Sequence, residues 1–251
     1  MVDLSATPVV LRNPMAYIEN PKTKGSGVLC AIPQTGTCPI KCDDCFFQSG
    51  RSYLEPLEEN LPNLPDPVDV GDYIVRMNDG NDSNVQREIV LEAAKRYKHV
   101  FFNTSIPKLD FPGPVVLTVN PGKMTDKDAH LVDPVPKNLM FVRFRVNMWN
   151  LDLCDKVVEH YTSRGAAVVL TFMAYYVESV PEEYARFYTY RKRTLNSYWV
   201  ITEEGWGQVV ERYAGNEKVY TCGKDAKTHA CKECKRCATE YFHNTIVNVL
   251  T

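Results

Sequence analysis

The chain lacks any apolar run long enough to cross a bilayer. A spanning helix needs about 20 consecutive, mostly apolar residues, and the longest such stretch, Ala166 to Tyr176, is interrupted by Thr171 and suits a buried strand. It also lacks a basic and then apolar amino-terminal segment, because Met1-Val2-Asp3-Leu4-Ser5 does not read as a signal peptide. Neither sign of charge is in excess. With 29 Lys and Arg against 31 Asp and Glu, the formal net charge is -2 over 251 residues, which argues against a globally basic nucleic-acid coat but leaves a local basic groove open. No internal repeat or low-complexity tract is visible, and 44% hydrophobic with 24% charged residues excludes a disordered, collagen-like or disulfide-scaffold chain. The expectation is a cytoplasmic protein with no membrane partner. What is abundant is cysteine, at nine residues. In a reducing compartment that number needs a reason other than disulfides.

The apolar pattern alternates strands with helices or long loops. Strands are expected at Gly27–Pro33, Asp72–Asn78, Val100–Thr104, Val115–Asn120, Leu139–Asn147 and Ala166–Ala174. Ser83 and Gln86 form a candidate capping box for a helix running to Lys98. Val85, Ile89, Ala93 and Tyr97 share one face of that helix. A second helix is expected from Leu151 to Arg164, with Cys154, Val157, Val158 and Tyr161 on one face and Gly165 ending it. Asp126 to Leu131 reads as one helical turn. Leu54 to Val70 is broken by repeated prolines, so regular structure there is not expected. Short β-branched strands separated by helices argue for a parallel sheet, and six of them suit an open, partial (β/α)6 barrel in the α/β class. Residues 1–26 read as irregular, 27–180 as the barrel, and 181–251 as a small cysteine-rich extension with a strand at Tyr198–Thr202 and a helix near Gly205–Tyr213.

Seven cysteines fall into two groups, while Cys30 and Cys154 stand among apolar neighbours and read as dispensable packing. The first group, Cys38, Cys42 and Cys45, is spaced C-x3-C-x2-C directly after the first strand. Three thiolates on one loop can hold three irons of a cubane and leave the fourth iron open, whereas a structural zinc wants a fourth nearby Cys or His. A zinc or purely structural loop is the alternative. The motif and its place in a β/α repeat, over roughly residues 27–176, resemble the radical S-adenosylmethionine superfamily. The resemblance implies a 4Fe-4S cluster on Cys38, Cys42 and Cys45 and S-adenosylmethionine on its open iron. It also implies reductive cleavage to a 5'-deoxyadenosyl radical and hydrogen abstraction from a substrate. An electron donor such as flavodoxin or ferredoxin follows from that chemistry.

The chain departs from the family pattern at two points. Asp44, not an aromatic residue, precedes the third cysteine, and the Gly-Gly-Glu motif after the second strand is replaced by Asn78-Asp79-Gly80-Asn81-Asp82. That turn occupies the place where the family binds the methionine ammonium, and it has acceptors to offer. It reads equally well as a good turn and helix cap. Asn103, Asn120 and Asn147 end strands, where α/β barrels keep their sites; Asn103 and Asn147 are counted as cofactor-binding candidates. Arg143 and Arg145 alternate on the strand of Asn147 and face either the cavity or a salt-bridged wall.

The second group is Cys222, Cys231, Cys234 and Cys237. Three closely spaced thiols with one remote resemble the ligand set of a ferredoxin-type 4Fe-4S cluster, with a four-cysteine zinc site as the alternative. The substrate is less legible. Arg186, Tyr188, Tyr190, Arg191, Lys192 and Arg193 interleave basic and aromatic residues, and Lys224, Lys227, Lys232, Lys235 and Arg236 surround the second group. These lean towards a nucleotide or nucleic acid, with a peptide or protein substrate as the rival. A non-catalytic iron-sulfur electron carrier or a zinc-binding module is the alternative of another class.

Overall fold

A computed structural model of the chain describes residues 16–42, 45–48, 52–121, 130–176, 179–194, 197–228 and 230–250. Six strands lie where the apolar pattern places them: β1 (Val28–Ala31), β2 (Ile74–Met77), β3 (Val100–Thr104), β4 (Val115–Val119), β5 (Leu139–Val146) and β6 (Ala167–Phe172). Two more, β7 (Tyr188–Arg191) and β8 (Tyr198–Ile201), pair antiparallel as a separate hairpin. The last strand, β9 (Val219–Thr221), returns to the main sheet beside β6. Among the described residues the sheet therefore has seven strands rather than six, in the order β1-β2-β3-β4-β5-β6-β9, and every pairing is parallel. β9 escapes the sequence pattern because three residues are too few to show a period of two. The arrangement is mixed α/β and compatible with a partial barrel.

The pleat separates two cores. Val28, Ile74, Phe101, Val116, Phe141 and Val169 gather on one face of the sheet with Tyr241. Val75, Met77, Phe102, Leu117, Val142, Phe144 and Leu170 gather on the other. Successive side chains of a strand point to opposite faces, so moving two residues along the first face brings Cys30, Arg76, Asn103, Thr118, Arg143 and Thr171 into line. That face changes from apolar to polar towards the carboxyl ends of the strands.

Helices cover both faces. The segment before β2 contains two single turns, α1 (Leu57–Asn60) and α2 (Pro67–Val70), where no regular structure is expected from the prolines. Pro67 stands at the first helical position of α2, where its missing N–H is not needed, and the Asp66 side chain accepts from Val68 N. α3 (Arg87–Ala94), α4 (Leu151–Ser163) and α5 (Glu203–Arg212) pack on the second face. α4 buries Cys154, Val157, Val158 and Tyr161 as its spacing predicts, and Gly165 follows at φ +87. Burying each large apolar side chain there stabilises by about 1.5–3 kcal/mol. α5 starts at Glu203 because the Thr202 side chain accepts from Gly205 N.

α3 departs from its sequence reading. It begins at Arg87 behind Gln86 in the left-handed region, and Ser83 donates to Asn78 Oδ1 instead of capping a helix. The helix starts three residues later than a Ser83 cap would place it; Ala93 and Tyr97 of the expected face are buried, with Val90 and Ala94 beside them, while Ile89 is exposed. The carboxyl-terminal helices α6 (Cys231–Cys234) and α7 (Arg236–Leu250) were not expected. α7 covers the first face, with Tyr241 in its core and Asn244 donating to the carbonyls of Lys137 and Leu139. The turn expected at Asp126–Leu131 lies largely outside the described residues. Among the described residues, no helix is long and apolar enough to cross a membrane.

Candidate active site

A cavity of about 820 Å3 opens on the polar end of the first sheet face, and both cysteine groups line it. Cys38, Cys42 and Cys45 arrive on the loop after β1, at one edge of the sheet; Cys222 follows β9, at the other. The first loop is held by Cys45 N donating to Cys42 O at 3.3 Å and by Gln48 Nε2 donating to Cys38 O at 2.9 Å. Phe47 anchors it among Ile32, Leu54, Leu57 and Leu61. A side chain at Gly80 would place its Cβ 2.2 Å from the Phe47 ring. Glycine is therefore what lets the Asn78–Asp82 turn rest directly on the cysteine loop.

The second group bridges the two edges. Cys222 N donates to Leu170 O of β6 at 2.7 Å, and Cys231 N donates to Lys22 O, on the segment leading into β1, at 3.0 Å. Lys235 takes the left-handed conformation at the end of α6 and turns the chain so that Cys237 starts down α7. Residues 16–26, read from the sequence as an irregular lead-in, thus help to build the site.

The thiols within each group feel one another's charge. Burial is the main cause that pushes Cys38 up to about 11, with Asp82, Cys42 and Cys45 adding to it. Burial likewise raises Cys42, Cys231 and Cys237. Cys222 adds to the rise at both Cys231 and Cys237, and Cys234 adds to it at Cys237. Such thiols stay protonated unless a metal takes their protons' place. Among the described residues, no three His, Cys, Asp or Glu side chains are drawn together as a preformed metal centre. A single zinc ion holds its thiolates about 2.3 Å from one point, whereas cubane thiolates stand on separate corners and further apart. The first group's three thiols sit on one loop and the second group's four are spread over the end of β9, α6 and α7, all lining one cavity; such a donor set could serve a cubane in either group or a zinc ion in the second.

The Asn78–Asp82 turn also lines the cavity, but much of its hydrogen-bonding capacity is spent internally. Asp82 accepts from Thr104 Oγ1 at 2.8 Å, Asn84 N at 2.9 Å, Ser105 N at 2.6 Å and Ser105 Oγ at 3.0 Å. Those four bonds fill the acceptor sites of a carboxylate. Asp79 accepts from Asn20 Nδ2 at 2.8 Å and Tyr53 OH at 3.2 Å, and pairs with Arg76 at 3.6 Å. Asn78, at φ 64, donates to Gln34 Oε1 and accepts from Ser83. Asn81 Oδ1 accepts from Asp82 N, while Gly80 keeps its backbone at the surface of the turn.

The strand ends sort differently from the sequence reading. Asn103 and Asn120 line the cavity, as do Arg143 and Arg145; Asn147 does not. Asn147 lies beyond the end of β5, where the two-residue alternation no longer holds. It is buried, with its side chain donating to Tyr175 OH and accepting from Trp149 N. The three residues share one parity in sequence, so only the strand's end separates them.

Cys30 packs in the core, as its apolar neighbours suggest, and also has a polar partner. It is fully buried, and its sulfur accepts from Arg76 Nη2 at 3.0 Å. Burial pushes the thiol up to about 12, while the Arg76 charge pulls the other way. The basic and aromatic segment divides as well. Tyr188 is buried against Trp149 and Tyr175, so it has no face for a base. Arg186 lies over Phe187 and Arg193 over Tyr198, and none of the residues 186–193 lines the cavity, whereas Lys235 and Arg236 do. Lys227 pairs with Glu203 instead.

The chain matches no protein-family model, and no curated protein and no solved structure matches it significantly.

Proposed function

We propose that the protein is a radical S-adenosylmethionine enzyme built on a partial (β/α)6-type barrel, with a second iron-sulfur cluster on its carboxyl-terminal cysteines. The observation that carries this reading is the convergence of both cysteine groups, from loops after opposite edge strands, on one cavity. Cys38, Cys42 and Cys45 would hold the cluster that binds the cofactor, and Cys222, Cys231, Cys234 and Cys237 the second. When bound, the first cluster and S-adenosylmethionine would supply a 5'-deoxyadenosyl radical able to take hydrogen from an unactivated carbon.

The chain's own residues set the conditions for that chemistry. Phe47 against Gly80 fixes the cofactor turn beside the first cysteine loop. Within the turn, the Gly80 backbone, Asn81 and the partly used Asp79 are the groups left to meet an ammonium. The cavity's size lies within the range of small-molecule sites, about 300–1,000 Å3, and the basic residues of segment 186–193 do not line it, although Val200 and Ile201 of β8 do. A substrate of nucleotide size therefore suits the site better than a polynucleotide, with a peptide segment as the alternative.

Anaerobic reconstitution followed by a 5'-deoxyadenosine assay tests the reading. Cleavage is expected in the parent and should vanish in Cys38→Ala, Cys42→Ala or Cys45→Ala. Stoichiometric zinc and no cleavage would replace the enzyme with a zinc-binding module, and iron without cleavage would leave an electron carrier.

A further inference from the structure

Among the described residues, seven Lys and Arg side chains line the cavity against two carboxylates, Asp79 and Asp82, and both carboxylates already serve donors of the protein. Two of the cations occupy a particular place. Arg143 and Arg145 leave one face of β5 two residues apart, and both line the cavity that the two cysteine groups also line. Arg145 Nη1 donates to Asn120 Oδ1. Arg143 Nη1 reaches only Asn103 Oδ1 and Thr118 Oγ1, both at 3.5 Å. Among the described residues, Arg143 makes no ion pair with a carboxylate. On the next strand, level with Arg145, the buried hydroxyl of Thr171 lines the same cavity and has no hydrogen-bond partner among the described residues.

A guanidinium taken partly out of water with only long, neutral hydrogen bonds is poorly compensated. Its planar fork matches a carboxylate or a phosphate in two parallel bonds. We propose that this stretch of wall, formed by Arg143 and Arg145 with Thr118 and Thr171 beside them, is an oxyanion subsite that binds the carboxylate or phosphate group of a small organic substrate. The subsite rests on the geometry of β5; naming its occupant as the substrate rests on the radical-enzyme reading. The subsite lines the same cavity as the two cysteine groups, so an anchored substrate shares that space with both.

The test is a calorimetric titration of the iron-sulfur-reconstituted full chain with inorganic phosphate in one arm and succinate in the other. Saturable binding of at least one probe is expected, weakened tenfold or more in Arg143→Gln and in Arg145→Gln at parental iron content. The arm that saturates identifies the group. No saturable binding by the parent, or unchanged affinity in both variants, would overturn the subsite. Unchanged anion affinity with lost iron or a shifted cluster potential would also overturn it, by assigning the arginines to the clusters' charge. A parallel titration with saturating S-adenosylmethionine separates the occupants, since displacement of both probes would give the arginines to the cofactor and end the proposal. Should the Gln variants fail to fold, Thr118→Glu sets a carboxylate beside Arg143 with both arginines kept. It is expected to weaken binding at least tenfold, and unchanged affinity there overturns the proposal as well. Failure of the radical reading would look different: anion binding intact and no 5'-deoxyadenosine formed.

Discussion

Gly80 and Cys30 each make a close contact that a single substitution would break. Gly80→Ala drives a methyl group into the Phe47 ring. Overpacking of that kind costs about 1–3 kcal/mol, so the denaturation midpoint should fall by that equivalent. If the first cysteine loop holds the proposed cluster, its iron retention should fall with it, because Phe47 belongs to that loop and meets the turn at Gly80. Iron content measured beside an unfolding curve checks both outcomes. Cys30→Ala removes the acceptor of a buried Arg76 donor. A buried donor left without its partner costs about 1–3 kcal/mol, more when charged. Chemical denaturation should therefore find Cys30→Ala destabilised, and Cys30→Ser less so because its hydroxyl still accepts. Parental stability in Cys30→Ala would return the residue to packing.

At the scale of elements, the link between α4 and α5 gives a dependence on pH. Asp155 accepts from Arg212 Nε at 2.8 Å and Tyr213 OH at 2.9 Å. The Arg212 hydrogen bond holds its carboxyl below the ordinary range, against a smaller opposing effect of burial. A carboxylate with a depressed folded pKa contributes stability above its unfolded value, near 3.9, and loses it as pH falls through the folded value. Both partners are 41% exposed, so solvent screening keeps the contribution to about 0.2–1 kcal/mol. Asp155→Asn should lower stability by that amount at pH 7 and by progressively less as pH falls below about 4. Urea unfolding at several pH values would show the two curves converging; a constant gap would deny the ion pair its role.

For the whole molecule, the second cysteine group makes backbone contacts near both edges of the sheet. It draws on β6 through Cys222 and on the segment before β1 through Cys231. A ligand that binds only the folded chain stabilises it by mass action, so a metal there should tie the two edges together. Removing it with a chelator is expected to lower the melting temperature and to speed proteolysis within residues 16–26 and 222–237. The quadruple Ala variant at Cys222, Cys231, Cys234 and Cys237 should show both effects without chelator and gain none on its addition. Equal melting temperatures with and without metal would confine the group to redox or binding work.

The sequence alone determined the parallel α/β alternation, the two cysteine groups and the buried face of α4. Each of these is a local pattern, either a period of two or 3.6 residues or a spacing along a single loop. Tertiary structure decided what depends on partners far along the chain. The Asn78–Asp82 turn reads as a row of open acceptors until Thr104 and Ser105 fill Asp82 from 22 and 23 residues away. Cys30 reads as packing until Arg76 reaches it from the neighbouring strand. Arg143, Arg145 and Asn147 share a parity, yet only the first two line the cavity, because β5 ends at Val146. β9 carries too few residues to announce itself, but its parallel pairing with β6 brings Cys222 to the edge of the cavity. A chain records which side chains it owns; which of them are already hydrogen-bonded, and which still face a cavity, follows only from how its strands meet.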